Sequence, residues 1–171
     1  MLLMFNDMKL AETGLQPGWV VILDTKGASF GHLAKLNLTM VKLFVTYIQE
    51  CQPIVLKAIH FVNVVPVLDK VLLLAKPFLK SELMKMFHFH PSLKELSNHI
   101  PLSILPKEYG GELESAATIH DKQRLLMKEY SSWYKQEETL KVDESKRTGN
   151  KHPYFEEFQG TEGSFRKLEI D

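Results

Sequence analysis

The chain has 171 residues, enough for one domain with a real core. Its 44% apolar and 25% charged residues match an ordinary globular protein. Lys plus Arg equal Asp plus Glu at 21 each, which argues against a general nucleic-acid binder, since that would carry a basic excess.

The opening "MLLMFNDMKLAETG" places Leu2, Leu3, Phe5, Met8 and Leu10 at helical spacing, and Gly14 with Pro17-Gly18 ends the run. No capping residue precedes it, so the start reads as a cut through an element. Its short apolar run lacks a preceding basic region, unlike a signal peptide. "WVVILDTKG" reads as a buried strand of a parallel sheet, with a turn at Asp24 and Gly27. "NLTMVKLFVTYIQECQP" reads as a helix with Met40, Phe44, Tyr47, Ile48 and Cys51 on one stripe, stopped by Pro53. Cys51 is the single cysteine, which points to a reducing compartment. "IVLKAIHFVN" is a second buried strand and "PVLDKVLLLAKPFLKSELMKM" a second helix, bent at Pro77. "FHFH" is a third strand and "PSLKELSNHI" a third helix. Strands alternating with helices predict an α/β fold, a mostly parallel sheet covered by helices. After a Pro- and Gly-rich corner, "LPKEYGGE", Asp121 can cap a helix running to about Leu140, with Leu126, Tyr130, Trp133 and Tyr134 as its stripe. From Val142 the composition turns polar and reads as a loose tail. The end regains Phe165, Leu168 and Ile170 and can dock back on the body.

Residues 66–86 carry more apolar surface than one core-facing stripe needs. Leu68, Leu72, Ala75, Leu79, Leu83 and Met86 form one row; Val67, Val71, Leu74 and Phe78 form a second. Two readings stand. The helix is buried between the sheet and another layer, or one face lines an apolar cavity while the other meets a membrane. Lys70, Lys76, Lys80 and Lys85 suit the second, because a lysine stem lies on apolar surface while its charge stays at the headgroups.

The run "VLLLAKPFLKSELMKMFHFHPSLKELSNHIPLSILPKEYGGELES" resembles the CRAL-TRIO lipid-binding family, in its α-tocopherol transfer protein and retinaldehyde-binding protein branch. "VILDTKG", "KAIHFVN", "KPFL" and "LPKEYGGE" carry the resemblance by their order and separations. The closing "EGSFRKLEID" is similar to the insect α-tocopherol-transfer-like group. The resemblance implies a sandwich with an apolar cavity beneath a mobile gate helix at 66–86, anchored in part by Phe78. Trp19, Leu23, Leu36, Phe44, Tyr47, Ile48, Leu56, Ile59, Leu68, Leu74 and Leu79 would line it; each is equally readable as plain core. A lipid burying roughly 500 Å² would gain on the order of 12 kcal/mol before binding costs are subtracted. No catalytic group and no cofactor is needed. Tyr47 and His60 are the polar groups that could anchor a headgroup.

Lys57 matches one basic position of the branch's phosphoinositide site, with Lys76, Lys80 and Lys85 nearby as membrane-facing charges. Val55, Glu82 and Met86 stand at other positions of that site. This implies attraction to anionic membranes more than a specific phosphatidylinositol bisphosphate site. The family's amino-terminal helical region and an early strand do not match anything here, so the expectation is a truncated isoform or partial gene model that folds and retains ligand more weakly. The expected organisation is a lipid-binding domain over 1–118, a packing helix over 119–141 and a polar tail over 142–171.

The partners implied are a hydrophobic small molecule and, transiently, a membrane surface. The expected location is the cytoplasm. Three rivals remain. An enzyme lacks support: there is no G-x-S-x-G elbow, phosphate loop or dinucleotide fingerprint, and Ser29 and Ser103 have no suggestive setting. A metal site would need three or four ligands. His88 and His90 alternate with Phe87 and Phe89 and so share one strand face, with His60 a third member only if the sheet register brings it there. A hydrogen-bonded polar sheet face is the simpler reading. The third rival is a membrane or protein adaptor that holds no lipid.

Overall fold

The computed structural model describes residues 2–146 and 148–149, so the expected docking of Phe165, Leu168 and Ile170 lies outside the described residues. Residues up to Glu129 form one compact unit, and the described residues from Tyr130 onward another.

The first unit is built on three parallel strands in sequential order: β1 (Trp19–Asp24), β2 (Leu56–Val62) and β3 (Phe87–His90), with β2 central. Both crossovers are helical, as parallel pairing requires. Helix α1 (Leu2–Thr13) precedes β1. The first crossover holds the short α2 (Phe30–Leu33) and α3 (Leu38–Thr46), which Asn37 caps by accepting from the Thr39 and Met40 amides. A wide π-helical turn, Tyr47–Cys51, follows. The second crossover holds α4 (Val67–Ala75), a tight 3-10 turn (Lys76–Phe78) and α5 (Ser81–Met84). After β3 come α6 (Leu93–Leu96) and the corner.

The register sets the two faces of the sheet. Ile22, His60 and His88 lie side by side, as do Leu23, Phe61 and Phe89. Ile59 and Phe61 pack against Leu68 of α4 and Leu83 of α5 on one face. On the other, Val62 packs against Leu96, Ile100 and Leu105. Trp19 faces Leu56 while Val20 faces Ala58, so Lys57 is an extra, bulged residue. The bulge turns Leu56 onto the Ile59 face and leaves Lys57 exposed. Gly18 makes room for it: a Cβ there would stand 2.6 Å from two carbons of the Lys57 side chain.

The corner closes the end of the sheet. Asp24 accepts from the Lys26 amide (2.9 Å), Asn63 Nδ2 (3.0 Å) and the Tyr109 hydroxyl (2.9 Å), tying β1, the end of β2 and the corner together. Gly110 adopts φ +75°, and a Cβ at Gly111 would run into the carbonyl oxygens of Leu105 and Leu102. Gly111 therefore admits no side chain, and Gly110 takes a left-handed conformation that glycine adopts without steric cost.

Four expectations are corrected. Residues 66–86 are not one helix bent at Pro77: α4 ends at Ala75, and Leu79 is extended before α5 begins. Proline lacks the amide that would continue the helical bonding, and the tight turn takes over there. The stripe read on α3 holds only at its end: Ile48 packs on the core and Tyr47 is half-buried, but Met40 and Phe44 are exposed, and Val45 and Thr46 are buried in their place. "PSLKELSNHI" yields only one helical turn, Leu93–Leu96, capped by Ser92. The helix after the corner, α7 (Ala116–Glu129), starts before Asp121, and Ser115 bonds the Thr118 amide at its start (3.1 Å). In the second unit a separate helix, α8, runs Ser131–Glu137.

Candidate functional site

The alternating "FHFH" sends Phe87 and Phe89 to the α4 side of the sheet and the histidines to the other. Phe61 packs on both phenylalanines, stacked on Phe89 at 5.0 Å and edge-on to Phe87 at 5.3 Å. Beside this aromatic wall lies an open apolar groove of about 340 Å³. Leu72, Leu73 and Leu79 line it together with Phe87 and Phe89, Met84 contributes from α5, and Asp69 and Lys76 are the charged residues of its lining. A groove of that size is at the small end of the range for small-molecule pockets. A second, smaller recess of about 190 Å³ lies under α5, lined by Ile48, Leu56, Leu83 and Met86 with Gln49, Lys80 and Glu82 at its edge.

The break that makes the groove is held by one side chain. Gln49, in the π-helical turn, donates to the Phe78 carbonyl (3.0 Å) and accepts from the Lys80 amide (2.7 Å). Lys80 Nζ also reaches Glu50 Oε1 at 3.0 Å. The π turn aims Gln49 at these two main-chain groups of the 78–80 segment; such turns occur often at functional positions. The sequence reading missed Gln49, because only the fold brings it to residues some thirty positions on.

The expected site residues separate into groups. Leu79 lines the larger groove and Ile48 and Leu56 the smaller. Ile59 and Leu68 are buried in the solid cluster between them. Trp19 is half-buried at the start of β1. Leu23, Leu36, Phe44 and Leu74 are exposed, on neither groove. Tyr47 spends its hydroxyl on Asp7 Oδ1 (3.0 Å); burial and that acceptor both push its phenol pKa up. His60 lies on the sheet face opposite the grooves. Among the lysines, Lys76 borders the larger groove and Lys80 the smaller, while Lys57 and Lys85 are exposed. Leu73, at 63% exposure, stands bare on α4 between Lys70 and Lys76.

The CRAL/TRIO domain model matches residues 1–111, the stretch from α1 through the glycine pair of the corner. The chain belongs to the CRAL/TRIO domain family. It is similar to the alpha-tocopherol transfer protein-like protein of Homo sapiens, 37% identical over 103 residues, which is 58% of this chain and 30% of that protein. The Mus musculus counterpart is 36% identical over 104 residues, with the same shares. Clavesin-1 of Rattus norvegicus is 33% identical over 97 residues, 56% of this chain and 27% of clavesin-1. The chain thus spans about three-tenths of the length of the curated relatives it matches. Lipid binding is supported at the level of the family. Among the described residues no helix is long and apolar enough to cross a membrane, and no group of three or more His, Cys, Asp or Glu is placed to hold a metal ion.

Proposed function

We propose that this chain binds a small hydrophobic ligand without catalysis and carries it between membranes. The tocopherol, retinoid and phospholipid classes share the chemistry required. The observation that carries the reading is the groove between α4 and β3, lined by Phe87 and Phe89 of β3 and by Leu72, Leu73, Leu79 and Met84, with Asp69 and Lys76 the charged residues among its lining. Such walls reward apolar transfer, about 25 cal/mol per Å² buried, and ask for no reacting group. The α4–α5 segment would act as the gate, hinging at the extended Leu79 that Gln49 now braces. The exposed Leu73 flanked by Lys70 and Lys76 would touch a bilayer in passing, with leucine in the acyl boundary and the ammonium groups at the phosphates. The working location is then the cytoplasm, with transient visits to membranes and no requirement for a specific phosphoinositide.

Organic extraction of the purified chain, followed by mass spectrometry, tests this. A stoichiometric apolar molecule, or uptake of one from tocopherol- or retinoid-doped vesicles, is expected. A folded chain that stays empty in both assays overturns the proposal. It would favour the second reading, an adaptor that uses Leu73 and Leu74 as a contact surface; their exposure is the observation on its side.

A further inference from the structure

The reverse face of the same strands holds four imidazoles together. His60 (β2) stacks on its register neighbour His88 (β3), with ring centres 4.9 Å apart. His60 Nδ1 lies 2.7 Å from His90 Nε2. His99, nine residues past the end of β3, leans over all three at 5.2–5.7 Å between ring centres. His60 and His90 are buried, at 4% and 3% exposure. The rings lie nearly parallel, within 22° for both the His60–His88 and the His60–His90 pairs. Of these pairs, His60 and His90 meet nitrogen to nitrogen.

This cluster sits where the sheet meets its second layer. His90 is the register neighbour of Val62, and Val62 packs on Leu96, Ile100 and Leu105. His99 lies between Leu96 and Ile100 in sequence. We propose that the four histidines form an acid-sensitive latch, closed while the rings are neutral, that loosens α6 and the 97–105 segment from the sheet when it takes up protons.

The chemistry follows from the short contact. A bond between two imidazole nitrogens needs one protonated and one bare. A proton on the bare nitrogen sets two N–H groups against each other and adds charge among three other rings. The charged groups on the surrounding elements are few. Asp24 at the end of β1 is occupied by Asn63, Lys26 and Tyr109. Lys94 and Glu95 lie on α6, and Lys107 and Glu108 in the corner. Burial, then His99 and His88, hold the His90 pKa below the ordinary histidine value; of the charged groups just named, Glu95 acts on it in the opposite sense, favouring the charged form. Burial, then His90, His88 and His99, likewise hold the His60 pKa below the ordinary histidine value. A base whose folded pKa is depressed leaves the unfolded chain binding protons first. The stability it lends is therefore complete above about pH 6.5 and is lost as pH falls from there toward the folded pKa. Each unit of depression is worth about tenfold in the opening equilibrium.

Hydrogen exchange on the whole chain, corrected for intrinsic rates, tests the latch between pH 7.5 and 5.5, alongside NMR titration of the histidine rings. The expected result is that amides of Leu96 and Ile100 exchange about tenfold faster or more at pH 5.5, while those of α4 change less. His60 and His90 should titrate below about 6.5. In His90→Gln, which keeps a side-chain acceptor, the acid acceleration should shrink. If that variant does not fold, the unsubstituted chain still decides the matter. Unchanged Leu96 and Ile100 exchange, or His60 and His90 titrating at or above 6.5, overturns the proposal. The latch does not depend on what the groove on the other face holds.

Discussion

Gln49 and Phe78, twenty-nine positions apart, are joined by a 3.0 Å hydrogen bond from the side-chain amide to the main-chain carbonyl. The same side chain accepts from the Lys80 amide, so one residue spans the break between the 3-10 turn and α5. Gln49→Ala should lose both bonds and cost about 1–2 kcal/mol in urea unfolding. It should also speed escape of a bound apolar probe, since the hinge at Leu79 loses its brace. Stopped-flow transfer to acceptor vesicles measures the second effect; an unchanged off-rate would show that the break is not a hinge.

Asp24 carries three donors, and its substitution should be felt across the end of the sheet. Burial pushes its carboxyl pKa up, but bonds from Asn63, the Lys26 amide and Tyr109 outweigh this and hold it below the usual value. A depressed carboxylate lends stability that is complete above about pH 4 and is lost as pH falls through the lower folded value. Asp24→Ala should cost about 2 kcal/mol at pH 7 and flatten the acid limb of a Tm-against-pH curve. Tyr109→Phe, which removes one donor, should cost about 1 kcal/mol.

At Gly111 the neighbouring carbonyls leave no room for a side chain. Gly111→Ala should therefore destabilise by about 3 kcal/mol or more, whereas Gly14→Ala, which meets no atom but keeps a positive φ, should cost about 1 kcal/mol. Thermal melts of the two variants separate overlap from backbone strain.

Leu73 contributes exposed apolar surface to α4. Leu73→Glu should leave folding nearly unchanged and reduce retention on anionic vesicles about tenfold, through lost transfer energy and added repulsion. Replacing Lys70 and Lys76 by Gln should weaken retention by about 1 kcal/mol each at low salt. Vesicle sedimentation reads both.

The three strands and their parallel order were legible because Trp19–Asp24, Leu56–Val62 and Phe87–His90 are dense in β-branched or aromatic residues between clear breaks. The two faces of β3 followed from strict alternation. The interior of residues 66–86 was less legible. An unbroken apolar period through Pro77 looks like a kinked helix, and only a bond from Gln49, in another element, shows why the chain is extended at Leu79. His99 was missed for a related reason: it lies in the turn that follows α6, its amide bonded to the Leu96 carbonyl, between the buried Leu96 and Ile100. Lys57 stands within a strand in the sequence reading, as a basic headgroup position, but the bulge there was not legible, because a bulge is a property of the pair of strands and β2 alone does not reveal it. For α3, the stripe of Met40 and Phe44 was apolar enough to suggest a core face, yet both are exposed.

Photocrosslinking with a diazirine-tagged lipid tail, followed by peptide mapping, tests the central claim most directly. With the ligand seated between α4 and β3, labels should concentrate on peptides carrying Leu72, Leu73, Phe87 and Phe89, and unlabelled tocopherol or retinoid should compete them away. Labels spread evenly over the exposed apolar side chains, or gathered on Phe30, Met40 and Phe44 with no competition, would contradict a groove-bound lipid.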